Sequence, residues 1–103
     1  RNVTLSGNIK TVVNRTPESH LTIGDGTAEN VTIDERAVDS TLTITNDGVV
    51  DTLNLDVGIA VDGEGAIGNL YVNAPGASTS MLPDNIVIGP GITANIAGTV
   101  LDT

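Results

Sequence analysis

Along this chain, two aliphatic residues separated by a single residue recur with turn-forming residues close by. The pattern runs through Leu21-Thr22-Ile23, Val31-Thr32-Ile33, Leu42-Thr43-Ile44, Leu53-Asn54-Leu55, Leu70-Tyr71-Val72 and Ile86-Val87-Ile88. Val3-Thr4-Leu5 and Ile59-Ala60-Val61 match it as well. Alternation with a period of two puts both aliphatic side chains on one face of a strand and the middle residue on the other. Threonine, polar and β-branched, is frequent at that outward position, as a half-buried strand favours.

The spacing of the triplets constrains the fold further. Those starting at Leu21, Val31, Leu42 and Leu53 follow one another at ten or eleven residues, whereas the steps to Leu70 and Ile86 are 17 and 16. Two short steps sum to one coil of a solenoid with two or three strands per turn. Leu42 is then expected over Leu21, and Leu53 over Val31. The longer steps leave room for an extra strand, with Ile59-Ala60-Val61 as its clearest candidate. The fold class expected is therefore all-β, a parallel β-helix in one domain spanning residues 1–103.

An antiparallel β-sandwich is the rival architecture, because Asp25-Gly26, Asp47-Gly48 and Asp62-Gly63 are good hairpin-turn dipeptides. The segments between the early triplets are longer than tight hairpins use, which favours the solenoid. Helix has little support from propensity or apolar spacing; only Asp34 to Asp39 suits a single helical turn. Pro75-Gly76, Pro83-Asp84 and Gly89-Pro90-Gly91 punctuate the C-terminal half as turns. The first twenty residues read as less regular, with Pro17 ending a strand over Thr11 to Val13.

The core must be built from small aliphatic side chains, since Phe and Trp are absent and Tyr71 is the single aromatic residue of the 103. Thirteen carboxylates against Arg1, Lys10, Arg15 and Arg36 give a formal charge of -9. That charge repels phosphate backbones and anionic lipid surfaces, so neither nucleic acid nor membrane is an expected partner. With no cysteine, disulfides and thiolate metal sites are excluded. No apolar run reaches the ~20 residues of a membrane-spanning helix. Because the sequence begins at Arg1 and not at Met, it is expected to be a processed chain or a segment of a larger protein.

No catalytic residue is expected. His20, the only histidine, precedes a strand triplet and reads as a turn or edge residue, since one imidazole defines no constellation. Serines 6, 19, 40, 78 and 80 form no nucleophile elbow and read as turn residues. The carboxylate neighbours Asp62 with Glu64, Asp34 with Glu35, and Asp51 with Asp56 are what a strongly acidic chain produces by chance, and nothing beside them suggests the raised pKa of a general acid.

For a metal, calcium suits the oxygen-rich composition better than zinc, and Asp62-Gly63-Glu64-Gly65 offers hard oxygens on a turn through Asp62 and Glu64. The stretch matches neither calcium-loop pattern, and its simpler role is a solvated acidic turn. Asn2-Val3-Thr4, Asn14-Arg15-Thr16 and Asn30-Val31-Thr32 match the glycosylation acceptor pattern at a rate chance explains, and read as turns entering strands. Tyr71 is the candidate ligand contact: outward at the middle of its triplet it offers one ring to a sugar, although covering a sheet edge is an equal use for it. Thr22, Thr32, Thr43 and Asn54 could hydrogen-bond a glycan or simply solvate the sheet.

The last third reads Gly68-Asn69-Leu70-Tyr71-Val72-Asn73-Ala74-Pro75-Gly76-Ala77, then Leu82-Pro83-Asp84-Asn85-Ile86-Val87-Ile88 and Gly91-Ile92-Thr93-Ala94-Asn95-Ile96-Ala97-Gly98. This phrasing resembles the β-helical regions of large surface proteins that Gram-positive bacteria attach to their walls through S-layer homology domains, over residues 19 to 98. The resemblance implies a right-handed parallel β-helix displayed outside the cell as a spacer, adhesin or polysaccharide-contacting surface. Polysaccharide lyases share that general fold, but with only four basic residues no lyase site carries over. The expectation is a noncatalytic, extracellular cell-surface structural or adhesive module. Its alternatives are a fragment of a glycan-active enzyme, marked by convergent acids beside a base, and a filament-forming solenoid, marked by exposed apolar coil ends.

Overall fold

Inward residues from successive coils stack directly over one another, and this registration organises all 103 residues described by the computed structural model. Twelve short strands form two sheets, alternating between them from β1 to β11. The first sheet takes β1 (Asn2–Leu5), β3 (His20–Ile23), β5 (Thr41–Ile44), β7 (Ala60–Gly63), β9 (Ser78–Thr79), β11 (Ala94–Ile96) and β12 (Thr99–Leu101), in that spatial order. The second takes β2 (Ile9–Asn14), β4 (Gly26–Ile33), β6 (Gly48–Leu55), β8 (Ala66–Val72) and β10 (Asn85–Ile88). Every pairing is parallel except β11 with β12. The result is a β-solenoid of about five turns.

The antiparallel sandwich is thereby excluded. Asp25-Gly26 and Asp47-Gly48 turn the chain from one sheet to the other, not back along its own strand, while Asp62-Gly63 lies inside β7. Strands β4, β6 and β8 each contain a bend. Ala28 is buried, Glu29 and Asn30 both face solvent, and Val31 is buried again. Two consecutive outward residues break the period-2 alternation, so the backbone turns a corner and the second sheet wraps two sides of the bore.

Leu42 lies over Leu21 and Leu53 over Val31, as the spacing predicts. The longer steps are resolved differently from a simple insertion. Leu53 pairs with Leu70 and Leu70 with Ile86, so each of these steps is one whole coil, with β7 or β9 supplying its other strand. Ile59-Ala60-Val61 does mark β7, but two residues out of register with its neighbours. Val61 takes the place of Leu42, and Ile59 continues the inward column of Ser19 and Ser40. The first twenty residues are regular strands on the same lattice, less buried because they form the end coil. Residues 34–39 form turns and no helix, with Ala37 plugging the core.

Twenty buried apolar residues form one continuous core. It holds no aromatic ring; Leu, Ile and Val columns fill the bore, with alanines where the wall closes in. The corner between the sheets is set by glycine. A Cβ on Gly26, whose φ is +127°, would sit 2.2 Å from the carbonyl oxygen of Gly7 one coil away, and one on Gly65 would sit 2.2 Å from the Ile44 side chain. No L-side chain fits that approach. Two buried hydroxyls close the wider coils near the N-terminal end. Ser40 Oγ accepts from Ser19 N–H at 3.1 Å, and both serine hydroxyls donate to the Thr16 carbonyl, at 3.0 Å from Ser40 and 2.7 Å from Ser19.

Because Leu53 is fully buried between the columns of Val31 and Leu70, Leu53→Ala should destabilise the fold by about 2–5 kcal/mol. Leu82→Ala, at a residue 70% exposed, should change stability by less than ~0.5 kcal/mol. Urea unfolding midpoints compare the two, and equal midpoints would contradict the stacked core.

Candidate functional site

The lattice that stacks aliphatic residues inward also stacks the outward residues into straight columns, successive residues of a column lying about 4.8 Å apart at the strand spacing of a sheet. On the sheet of β2, β4, β6, β8 and β10, one column runs Thr11, Asn30, Thr52, Asn69, Asn85 and the next runs Val13, Thr32, Asn54, Tyr71, Val87. None of these ten residues is charged, in a chain with thirteen carboxylates. Asn85 Nδ2 donates to Asn69 Oδ1 at 3.1 Å, so amides bond along the column.

The carboxylates that flank this face lie at its corners. Glu29 and Asp51 lie at the bend beside this face, and Asp34 and Asp56 follow the last inward residues of β4 and β6 at its other margin. Asp56 Oδ1 accepts from Asn73 Nδ2 at 2.9 Å. Asp25, Asp47 and Glu64 precede the stacked corner glycines Gly26, Gly48 and Gly65. Corners are where side chains from successive coils can splay apart into water, which reduces repulsion between like charges.

Tyr71 stands outward in the middle of its triplet, 38% exposed, between Asn54 and Val87. Strand β8 is interior to its sheet, so the ring covers a face and not an edge. Thr22, Thr32, Thr43 and Asn54 do not form one ladder. Thr22 and Thr43 stack on the first sheet, and Thr32 and Asn54 on the second.

Asp62 and Glu64 belong to different columns. Asp62 projects from β7 beside Thr43, while Glu64 sits at the glycine corner in register with Asp47. The turn expected across Asp62 to Gly65 is thus half strand and half corner. Nowhere do three acidic or histidine side chains converge in a metal-binding group. A calcium ion at Asp62 or Glu64 would have to complete its shell from backbone oxygens or water.

His20 opens β3, an interior strand, and is neither in a turn nor at an edge; its ring Nδ1 bonds the Thr41 hydroxyl one coil on. Ser19 and Ser40 are buried structural hydroxyls, and Ser78 lies in β9, so these three are not the turn residues the sequence suggests. Asn2 and Asn30 lie within strands, and Asn14 ends β2 with its amide donating to Ser19 Oγ at 2.9 Å.

Among the paired carboxylates, Asp34 turns to Arg36 and not to Glu35. Its Oδ1 accepts from the Arg36 side chain at 2.8 Å and from the Arg36 backbone N–H at 3.0 Å. Those bonds to the charged form hold the Asp34 carboxyl down at about 2 and raise the Arg36 guanidinium above its ordinary value.

No family model matches the chain, and neither a curated protein nor a solved structure shows significant similarity to it.

The neutral columns could have been found in the sequence. Each triplet of the second sheet is preceded by Asn or Thr, as Thr11-Val12, Asn30-Val31, Thr52-Leu53, Asn69-Leu70 and Asn85-Ile86 show. The bend hid the pattern, because period-2 reading does not anticipate two outward residues in succession.

The Asp34–Arg36 pair gives a pH prediction. A depressed folded-state pKa adds stability that is complete above the unfolded value near 4 and disappears as pH falls through about 2. The Asp34 carboxyl should titrate near 2 by NMR, and Arg36→Ala should raise it toward the ordinary carboxylate range, while the backbone N–H of residue 36 keeps it somewhat depressed. An unchanged midpoint in that variant would remove the pair as the cause.

Proposed function

We propose that the chain is a noncatalytic cell-surface structural and adhesive module that meets polysaccharide along the outer face of the β2–β10 sheet. One observation carries this reading: ten outward residues on that face, spread over five coils, are uncharged in a protein of net charge -9. Solubility alone favours charge on such a surface. Seven amides and hydroxyls and two valines around one exposed ring instead suit a ligand that is neutral and repetitive, with polar edges and an apolar face.

Such a surface would work additively. Each coil offers an amide or hydroxyl at a fixed interval, and Tyr71 gives the apolar side of a sugar ring something to lie against. Individually weak contacts add along a polymer that engages several coils at once. The stacked strands keep the array rigid, so little ordering cost falls on the protein when it binds. Display outside the cell rests on the resemblance of residues 19–98 to wall-attached surface proteins.

Co-sedimentation with insoluble plant and bacterial-wall polysaccharides, with and without calcium, tests the proposal. Binding without release of sugar is expected. Tyr71→Ala should weaken it by about three- to tenfold, in line with loss of one aromatic contact of ~1 kcal/mol. Asn54→Asp, which puts a carboxylate beside the ring, should weaken binding to neutral polymers more than to cationic ones. Soluble oligosaccharide products would defeat the noncatalytic reading, and dependence on calcium would bring Asp62 and Glu64 into the site.

A further inference from the structure

The two outward columns on the β2–β10 sheet differ in chemistry. Every member of the first, Thr11, Asn30, Thr52, Asn69 and Asn85, carries an amide or a hydroxyl. The second carries Tyr71 and, at Val13 and Val87, two aliphatic side chains, so it is the more apolar of the pair. Two residues of extended strand separate the columns, about 7 Å. A sugar ring lying on the second column therefore brings its edge hydroxyls within hydrogen-bond reach of the first. Capacity for such bonds remains there: Asn69 Oδ1 accepts from Asn85 Nδ2 at 3.1 Å, which leaves Asn69 Nδ2 and Asn85 Oδ1 without protein partners.

The neutral strip is extended in one direction only. Along the rod it crosses five strands, whereas along a strand it soon meets acidic margins. Glu29, Asp51 and Asp84 immediately precede the first column, and Asp34 and Asp56 lie two residues beyond the second. Only on β2 do cations, Lys10 and Arg15, hold those marginal positions. A polymer laid along a strand leaves the strip within two or three rings. One laid along the rod meets an amide or hydroxyl at every coil, and the margins repel it if it is anionic.

We infer that the ligand is an extended, neutral β-1,4-linked glycan lying along the rod axis, one ring to a coil. It rests on the polysaccharide reading of this face and adds the direction and linkage of the bound chain. In an extended β-1,4-linked pyranose chain, successive rings follow at close to the ~4.8 Å spacing of strands. Alternate rings turn over, but each edge still presents a hydroxyl at every step for the first column to meet. The apolar side of a ring lies on Tyr71. Contacts in register add along the chain. Chains linked α-1,4 or β-1,3 coil and leave register after a ring or two, so their further rings gain nothing.

NMR titration of the chain with oligosaccharides of two and six rings tests this, using cello-, manno- and chito-oligosaccharides against malto- and laminari-oligosaccharides. At least one β-1,4 series should bind its hexasaccharide about tenfold or more tightly than its disaccharide, whereas the other linkages should gain less than about twofold. Amide shifts should change on β4, β6, β8 and β10 together. Asn30 is exposed and two coils from Tyr71. Asn30→Ala should weaken the hexasaccharide about three- to tenfold and leave the disaccharide unchanged, because two rings seated at Tyr71 do not reach it. Tyr71→Ala should weaken both. Equal gains for every linkage, shifts confined to one strand, or a hexasaccharide indifferent to Asn30→Ala would overturn the axial glycan and leave polysaccharide binding in place. So would silence towards all five series while polysaccharide still carries the protein into the pellet. Silence together with no co-sedimentation would overturn both readings.

Discussion

Parallel pairing in register between one coil and the next is the interaction on which this molecule depends. A strand in a β-solenoid is positioned by the strand beneath it, so each inward residue must coexist with its counterpart above and below at the sheet spacing. Only side chains that stack without needing lateral room satisfy this throughout a narrow bore. The all-aliphatic core and the glycine column at the corner both follow. So does the single antiparallel contact, β11 with β12, which falls where the stack ends.

The same registration explains the surface. A residue type chosen for one outward position is repeated in space whenever its counterpart is chosen similarly, so polarity and charge form columns rather than patches. Carboxylates 4.8 Å apart on a flat face would repel strongly, and those beside the second sheet ride its corners where side chains diverge. What remains between the corners is a neutral face of amides, hydroxyls and one tyrosine, with Val13 and Val87 at its two ends. Its uniformity comes from strand geometry and side-chain choice together, and it is the surface on which a functional reading can rest.

Much of this was legible in the sequence because aliphatic alternation reports directly on burial. Leu21 over Leu42 and Val31 over Leu53 could be placed from spacing alone. Strand β9 could not, because Thr79 occupies the inward position that Val61 holds one coil earlier, its hydroxyl satisfied by the Met81 carbonyl. A buried threonine carries no hydrophobic signal. The register of β7 was obscured for the opposite reason, since Ile59 is buried in the column of Ser19 and Ser40 and lengthens the apparent triplet. The candidate site was half legible: Tyr71 was placed outward, but the neutral columns around it required the bend in β4, β6 and β8.

The coils also differ in length, widening from the first step to the second and then shortening toward the C-terminus. Register partners are 21 or 22 residues apart between the second and third coils, and 16 or 17 apart near the C-terminus. The difference lies mainly in the connections, from the long Asp34–Ser40 segment to the brief ones that replace it. The layers are therefore not interchangeable bricks. Duplicating or excising one by recombination would set a wide perimeter against a narrow one, so evolutionary growth of such a rod is easiest at its extremities, where a new layer has only one neighbour to match.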